Sequence, residues 1–133
     1  MPKEQLVAPG LAPPNGHFSQ ATVASPGRLV FISGMTARRA DGTIAGVGDI
    51  TEQTHQVCRN LAAAVEAAGG TLEDIARVDV YVRNIGDFAA IHEVRRQYFT
   101  GEPPASTMVE VSRFTHDDYL IEINAIAVLG SPE

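Results

Sequence analysis

Residues 49–70 have the periodicity of an amphipathic α-helix, and this segment restricts the folds open to the rest of the chain. The apolar residues that recur at helical spacing are Val57, Leu61, Ala64, Val65 and Ala68. Asp49 and Glu52 have the spacing of a capping box at the start of the helix, and Gly69-Gly70 supplies its stop. Because one face of this helix is apolar, we expect it to lie on a β-sheet.

Strand and helix signals continue after this helix. Val78, Val80 and Val82 alternate with polar residues, which indicates a strand with one buried face. Residues 87–99 then predict a second amphipathic helix, with Asp87 as its cap. The apolar stripe of this second helix consists of Phe88, Ile91, Val94 and Tyr98.

The segment before the first helix predicts extended structure. Two strand-like runs between residues 18 and 36 flank Pro26-Gly27, which indicates a β-hairpin. A second turn is expected at Asp41-Gly42. Residues 1–15 are rich in proline and glycine and predict an extended or loosely held N-terminal arm.

Two further strands are predicted near the C-terminus. In the first, the expected core-facing set is Ala105, Thr107, Val109 and Val111, and the set expected to point away is Ser106, Met108 and Glu110. The second strand, residues 119–129, is the most apolar in the chain and carries Glu122. A carboxylate there either faces solvent on a sheet edge or lies in a cleft, and periodicity alone favours solvent. Glu110 presents the same choice.

The order β-β-α-β-α-β-β predicts one α+β domain over residues 1–133, with two helices on one face of a mostly antiparallel or mixed sheet. The other face of such a sheet needs cover. A chain of 133 residues has no third layer to supply that cover, so self-association is expected.

Composition argues against several classes of protein. The net charge of −6 disfavours nucleic acids and anionic membranes as partners. The single cysteine, Cys58, falls in the first helix and is expected to be a small buried hydrophobe in a reducing compartment. Neither a secretory signal nor an apolar stretch long enough for a bilayer is present, so a cytoplasmic location is expected.

Generic catalytic motifs are also absent from the sequence. The four histidines, His17, His55, His92 and His116, show no ligand spacing, so no metal site is expected. Ser33 lies in "FISGM", which lacks the G-x-S-x-G pattern of a nucleophile turn.

Four stretches together resemble the Rid family of enamine/imine deaminases, also called the YjgF/YER057c/UK114 family. They are "LVFISGM", "NLAAAVEAAGGTLEDIARVDVYVRNIGDFAAIHEV", "PPASTMVEVSRF" and "IEINAIAV", and the resemblance spans about Gly16 to Val128. It implies a chorismate-mutase-like α+β fold, a homotrimer whose sheets face inward, and ligand clefts at the subunit interfaces. It also implies hydrolysis of a small reactive enamine or imine without metal or organic cofactor, in which water attacks the imine carbon and ammonia leaves.

The resemblance assigns candidate site residues one by one. Glu122 matches the glutamate that handles the catalytic water, and the backbone of Ser33 and Gly34 matches the ligand-contacting strand end. Phe18 matches an aromatic that packs on the ligand but lacks the more usual tyrosine hydroxyl. His92 replaces an asparagine and Met108 replaces a cysteine.

The largest departure is Ser106, which stands where the best-known deaminases carry an arginine for the substrate carboxylate. Serine cannot make the bidentate, charge-assisted pair that a guanidinium makes. Ser106 and Thr107 would instead offer hydroxyls to a less acidic group. Three arginines are candidate replacement cations, and the residues alone favour solvated surface positions for them: Arg38, Arg39 and Arg113.

Two functions remain open on this basis. One is a deaminase of altered preference, for example toward a 2-aminomuconate-type substrate, with Glu122 as general base or water-positioning acid. The other is a non-catalytic trimer that binds a small metabolite or another protein, with Phe18, His92 and Met108 forming a more apolar cleft. Ribonuclease activity, a third possibility, fits poorly with the acidic charge.

Overall fold

The strands and helices of the protein are defined by a computed structural model that describes residues 3–130. The strands are β1 (Lys3–Leu6), β2 (Ala21–Ala24), β3 (Arg28–Met35), β4 (Ile75–Val82), β5 (Ala105–Glu110) and β6 (Ile121–Leu129). The helices are α1 (Ile50–Ala67) and α2 (Phe88–Tyr98). Single 3₁₀ turns at Leu72–Asp74 and Ile85–Asp87 precede β4 and α2. In the described part of the chain, neither helix has the length and apolar character needed to cross a membrane.

The main sheet has the strand order β3-β6-β4-β5. Only the β4–β5 pair is parallel, and α2 forms the crossover that a parallel pair requires. Helix α1 packs on β3 and β6, and α2 packs beside α1. The prediction of an α+β fold, with two helices on a mixed and largely antiparallel sheet, is confirmed.

The valine-rich strand β4 anchors the core. Val78, Val80 and Val82 are fully buried, and β6 contributes Ile121 and Ile123 from the neighbouring position. On α1 the buried apolar side chains are Val57, Cys58, Leu61 and Val65. The predicted periodicities of β4 and α1 therefore identify the face of each element that packs in the core.

The predicted ends of α1 are confirmed by their hydrogen bonds. The Asp49 carboxylate accepts from the Glu52 backbone N–H at 3.1 Å. At the other end Gly69 has φ of +93°, its N–H donates to the Glu66 carbonyl, and the Gly70 N–H donates to the Val65 carbonyl. This pattern is a Schellman motif, and the left-handed conformation explains the glycine at position 69.

The predicted hairpin between β2 and β3 is wrong. Strand β2 pairs with β1, whereas β3 pairs with β6 from Arg28 opposite Leu129 onward. Pro26-Gly27 therefore links two different sheets. A short local alternation carries no information about distant partners, and β6 offers β3 a longer and more apolar neighbour than β2 does.

The predicted facing of β5 is also wrong. Ser106 is opposite Val78 and Met108 is opposite Val80, so both lie on the side of the sheet that carries the helices. Thr107 and Val109 lie on the other side. Alternation separates two faces but does not say which one is buried, and on an edge strand the more apolar set need not face the core.

The predicted cap of α2 differs as well. Asp87 precedes the helix but its side chain makes no capping hydrogen bond. Instead the Asn84 side chain accepts from the Gly86 N–H at 2.8 Å and caps the preceding 3₁₀ turn.

The side of the main sheet opposite the helices, called here the open face, is uncovered in a single chain. Phe31 is 72% exposed, Leu29 59% and Val109 43%. These apolar side chains share the face with Glu122 and Thr107.

The N-terminal segment is attached to the sheet through a buried lysine. Lys3 lies in β1, and its Nζ donates to the carbonyl oxygens of Ile75 and Glu102, both at 2.9 Å. Burial lowers the pKa of the Lys3 ammonium, against the opposing influence of nearby acidic side chains. Met1 and Pro2 of the predicted arm lie outside the described residues.

Replacing Lys3 by methionine is expected to lower the free energy of unfolding by about 1–3 kcal/mol, because two carbonyl groups lose their donor while the aliphatic stem is kept. Urea denaturation measures the effect. Glu4→Met, at the exposed neighbouring position of β1, serves as the control. Equal stability of the two variants would contradict the prediction.

Candidate functional site

The predicted site residues occupy two separate places within one chain. Ser33, Gly34 and Glu122 lie at the β3–β6 side of the sheet, and the remaining residues lie at or near β5. Strands β3 and β5 are the two edges of the main sheet. Three interstrand spacings separate these edges, a distance of about 14 Å.

Ser33 and Gly34 form a β-bulge. Ile32 is opposite Ala125 and Met35 is opposite Ile123, so two residues of β3 face the single residue Asn124 of β6. A bulge disrupts the ladder locally and leaves backbone groups without a strand partner. A bulge on the edge strand β3 makes the Ser33–Gly34 backbone a candidate for contact with a ligand.

Glu122 lies against this bulge. A Cβ at position 34 would overlap the Glu122 carboxylate as it is placed, so the glycine permits this close approach. Glu122 is half-buried on β6, an interior strand, and therefore does not lie on a sheet edge. Its side chain lines a cavity of about 370 Å³, the Glu122 pocket, whose other lining residues are Tyr81, Val111, Arg113, Phe114, Thr115 and Asn124.

Of the three arginines considered as replacement cations, Arg113 lines the Glu122 pocket. Its guanidinium is 3.6 Å from the Asp117 carboxylate, and both side chains are largely exposed. Arg38 and Arg39 border a different cavity, which also contains Gly34.

A second cavity, the edge pocket, has a volume of about 200 Å³. Its lining residues are Asn15, Phe18, Phe88, His92, Arg95, Ser106 and Met108. Phe18 reaches this position because the next residue, Ser19, donates its N–H to the Pro104 carbonyl and forms a bridge to Ala105. The chain before β2 is thereby held beside the start of β5.

Thr107 does not share the edge pocket with Ser106. Its hydroxyl accepts from Arg77 Nη2 at 2.9 Å on the open face, where Arg77 also pairs with Asp79 at 2.8 Å. Adjacent strand residues point to opposite faces, so the two hydroxyls do not meet at one ligand within a chain.

His92 is a buried, neutral side chain in the wall of the edge pocket. Its Nδ1 lies 2.9 Å from the Phe88 carbonyl oxygen, which can only accept, so Nδ1 carries the proton. The imidazole stacks on the Phe88 ring with a centroid separation of 4.0 Å. Burial lowers the pKa of His92, and the nearby Arg95 charge acts in the same direction. At neutral pH the ring therefore offers Nε2 as an acceptor.

Three residues of this pocket are absent from the set predicted from the sequence, namely Asn15, Phe88 and Arg95, and of these Arg95 carries a charge. It lies on α2, is 1% exposed, and donates from Nη2 to the Ser106 hydroxyl at 3.2 Å. Burial lowers its pKa to about 10, which leaves the guanidinium protonated at neutral pH. Phe88, His92 and Arg95 recur at helical spacing, and this spacing is the feature of the sequence that places Arg95 on the same helix face as the predicted site residue His92.

Cys58 has the expected buried environment. Burial raises the pKa of its thiol to about 12, so the side chain is a protonated hydrophobe near neutral pH. Within residues 3–130, no three His, Cys, Asp or Glu side chains are grouped in a way that would hold a metal ion.

The His92 environment predicts a pH-dependent stability. Below about pH 6.5 the unfolded chain binds a proton on this histidine while the folded chain, with its lowered pKa, does not. The free energy of unfolding is therefore expected to fall as the pH drops from the ordinary pKa of histidine toward the lower pKa of His92 in the folded chain. His92→Gln should remove this part of the slope in denaturation measured between about pH 7 and pH 5. An unchanged slope would contradict the assignment.

Comparison with known proteins gives consistent relatives. Residues 10–129 match the family model described as Endoribonuclease L-PSP. A RutC family protein of Pyrococcus horikoshii is 42% identical over 125 residues, which are 94% of this chain and 97% of the relative. The crystal structure of a conserved Rid family protein from Yersinia pestis has a TM-score of 0.90 at 32% identity, covering 97% of this chain and 100% of the other. A YjgF/YER057c/UK114 family member from Mycobacterium tuberculosis has a TM-score of 0.69 at 33% identity, covering 84% and 86% of the two chains.

Proposed function

The chain belongs to the Rid (YjgF/YER057c/UK114) family, and on that premise we propose that it is a cofactor-independent hydrolase that releases ammonia from a small enamine or imine metabolite. The observation that carries the proposal is the half-buried Glu122 carboxylate against the Ser33–Gly34 bulge. This arrangement joins a proton acceptor to the backbone of an edge-strand bulge beside a cavity.

In the proposed reaction, the bulge backbone orients the substrate and Glu122 positions a water molecule at the imine carbon. Glu122 accepts a proton as the water oxygen bonds to that carbon. That proton passes to the nitrogen and gives a carbinolamine. The hydroxyl proton of the carbinolamine then passes through Glu122 to the amino group, the carbon–nitrogen bond breaks, and ammonia leaves as the oxygen becomes the carbonyl of the product. Water supplies all the atoms that the substrate gains. A 2-aminomuconate-type compound is one example of such a substrate.

The proposal includes assembly into a homotrimer. The Glu122 pocket lies on the open face, whereas the edge pocket lies on the helix side of the sheet at β5, two interstrand spacings from β6, or about 10 Å. In a trimer with inward-facing sheets, the edge pocket of one copy would complete the Glu122 site of the next. Leu29 and Phe31, both exposed on the same face of β3, support such an assembly, because exposed apolar side chains grouped on one face mark contacts between proteins.

A second candidate function is a trimer that binds a small metabolite without converting it. The observation that favours it is the apolar wall of the edge pocket, which includes Phe18, Phe88 and Met108. The matching family model is named for an endoribonuclease. For this chain, with its net charge of −6, an RNA substrate is disfavoured by electrostatic repulsion.

Glu122→Gln is expected to lower the rate of ammonia release by about 10²–10⁴-fold, because the amide cannot accept the water proton. The substrates are freshly generated imines of neutral amino acids and 2-aminomuconate. Glu110→Gln is the matched control, since this β5 glutamate uses its carboxylate only to accept from the Ile85 N–H among the described hydrogen bonds. If no substrate shows turnover that depends on Glu122, the binding function is favoured instead.

Assembly is tested by Phe31→Glu, which places a charge on the open face and is expected to yield monomers in light scattering. Val47→Glu is the control, because Val47 is 61% exposed in the loop before α1, away from the sheet. A wild-type protein that scatters as a monomer would refute the trimer directly.

A further inference from the structure

Arg95 is a buried cation without a counter-ion. Its Nε has no hydrogen-bond partner and is inaccessible to solvent. Among the carboxylates of residues 3–130, none forms an ion pair with it, although Arg77, Arg96 and Arg113 all do so with acidic groups. Its hydrogen bond to a side chain is the one from Nη2 to the Ser106 hydroxyl.

The groups around this guanidinium carry no compensating negative charge. Ser106 offers a neutral hydroxyl, His92 is neutral at pH 7, and burial keeps the Cys58 thiol protonated. Removing a charge from water is costly unless it is paired and its hydrogen bonds are satisfied. Unsatisfied polar groups are rare in protein interiors, so the unpaired guanidinium indicates a functional role for Arg95.

We propose that Arg95 is the anion-binding group of the edge pocket, and that the pocket takes a small organic carboxylate with an apolar tail. The inference deepens the proposed function, on which it rests for the reaction that follows binding. It names the substrate of that site as an anion held from helix α2, with Ser106 as the residue that positions the guanidinium.

The geometry favours a carboxylate over other anions. Arg95 lines the edge pocket, and the paired N–H donors of a planar guanidinium match the two oxygens of a carboxylate. Phe18, Phe88 and Met108 supply apolar surface in the same pocket. The cavity of about 200 Å³ is smaller than the roughly 300–1,000 Å³ typical of sites for drug-sized ligands, so the ligand is small.

Equilibrium binding tests the inference with butyrate and benzoate as anionic probes and with butyramide and benzamide as neutral probes of similar shape. Wild-type protein is expected to bind the carboxylates and to discriminate against the amides. Arg95→Met is expected to weaken carboxylate binding by about 10–100-fold, the loss typical of a charged hydrogen-bonding partner. Arg96→Met is the matched control, since Arg96 is the exposed next residue of the same helix.

Thermal unfolding provides a second readout and shows whether the Arg95→Met variant is folded. Replacing an uncompensated buried charge by an apolar side chain of similar length is often neutral or stabilising. Arg95→Met is therefore expected to unfold at the same or a higher temperature than wild type without ligand. Butyrate should raise the unfolding temperature of wild type but not that of the variant.

Three results would overturn the inference: no carboxylate binding by wild type, equal binding of carboxylate and amide, or unchanged carboxylate binding by Arg95→Met. Because binding is measured without turnover, Glu122→Gln should retain it. Arg95-dependent binding without any ammonia release would refute the proposed hydrolase and leave the anion site standing. Glu122-dependent turnover with no effect of Arg95→Met on carboxylate binding would refute the anion site and leave the proposed hydrolase standing.

Discussion

The burial of one face of the β6–β4 strand pair under the helices is the interaction on which the rest of the structure depends. Val78, Val80 and Ile123 on these central strands are removed from water, and Leu61 of α1 belongs to the same core. Burial of such side chains is the main favourable contribution to folding, at about 1.5–3 kcal/mol for each fully buried one. The other face of the same two strands is left to Glu122 and its neighbours.

This one-sided burial separates the chemistry into two environments. Glu122 lies on the open face beside the Ser33–Gly34 bulge, whereas Ser106 and Arg95 lie on the helix side of the far sheet edge. The first environment contains a carboxylate beside the backbone of an edge-strand bulge, and the second contains a cation in a pocket with apolar walls. A substrate that needed both would bind between copies of the chain, which connects the proposed activity to the proposed trimer.

The structure also changes the interpretation of Ser106. The sequence shows a strand position without the arginine of well-known relatives, and among the described residues the structure shows that its hydroxyl accepts from a buried arginine of α2. Arg95 could not be assigned from its residue type, because an arginine on a helix usually faces solvent and a helical pattern does not report what lies opposite. Its environment arises from Phe18 and Ser106, which are distant in sequence and are brought together by the bridge between Ser19 and Ala105.

What the sequence by itself determined is local: the helix from its cap at Asp49 to Gly69, the valine face of β4, and the α+β class. These follow from periodicity and capping, which depend on residues a few positions apart. Only the tertiary structure decided that β3 pairs with β6, that Ser106 faces the helices, and that Arg95 is buried. Strand partners and the buried side of an edge strand depend on long-range packing, because alternation is the same whichever face is covered.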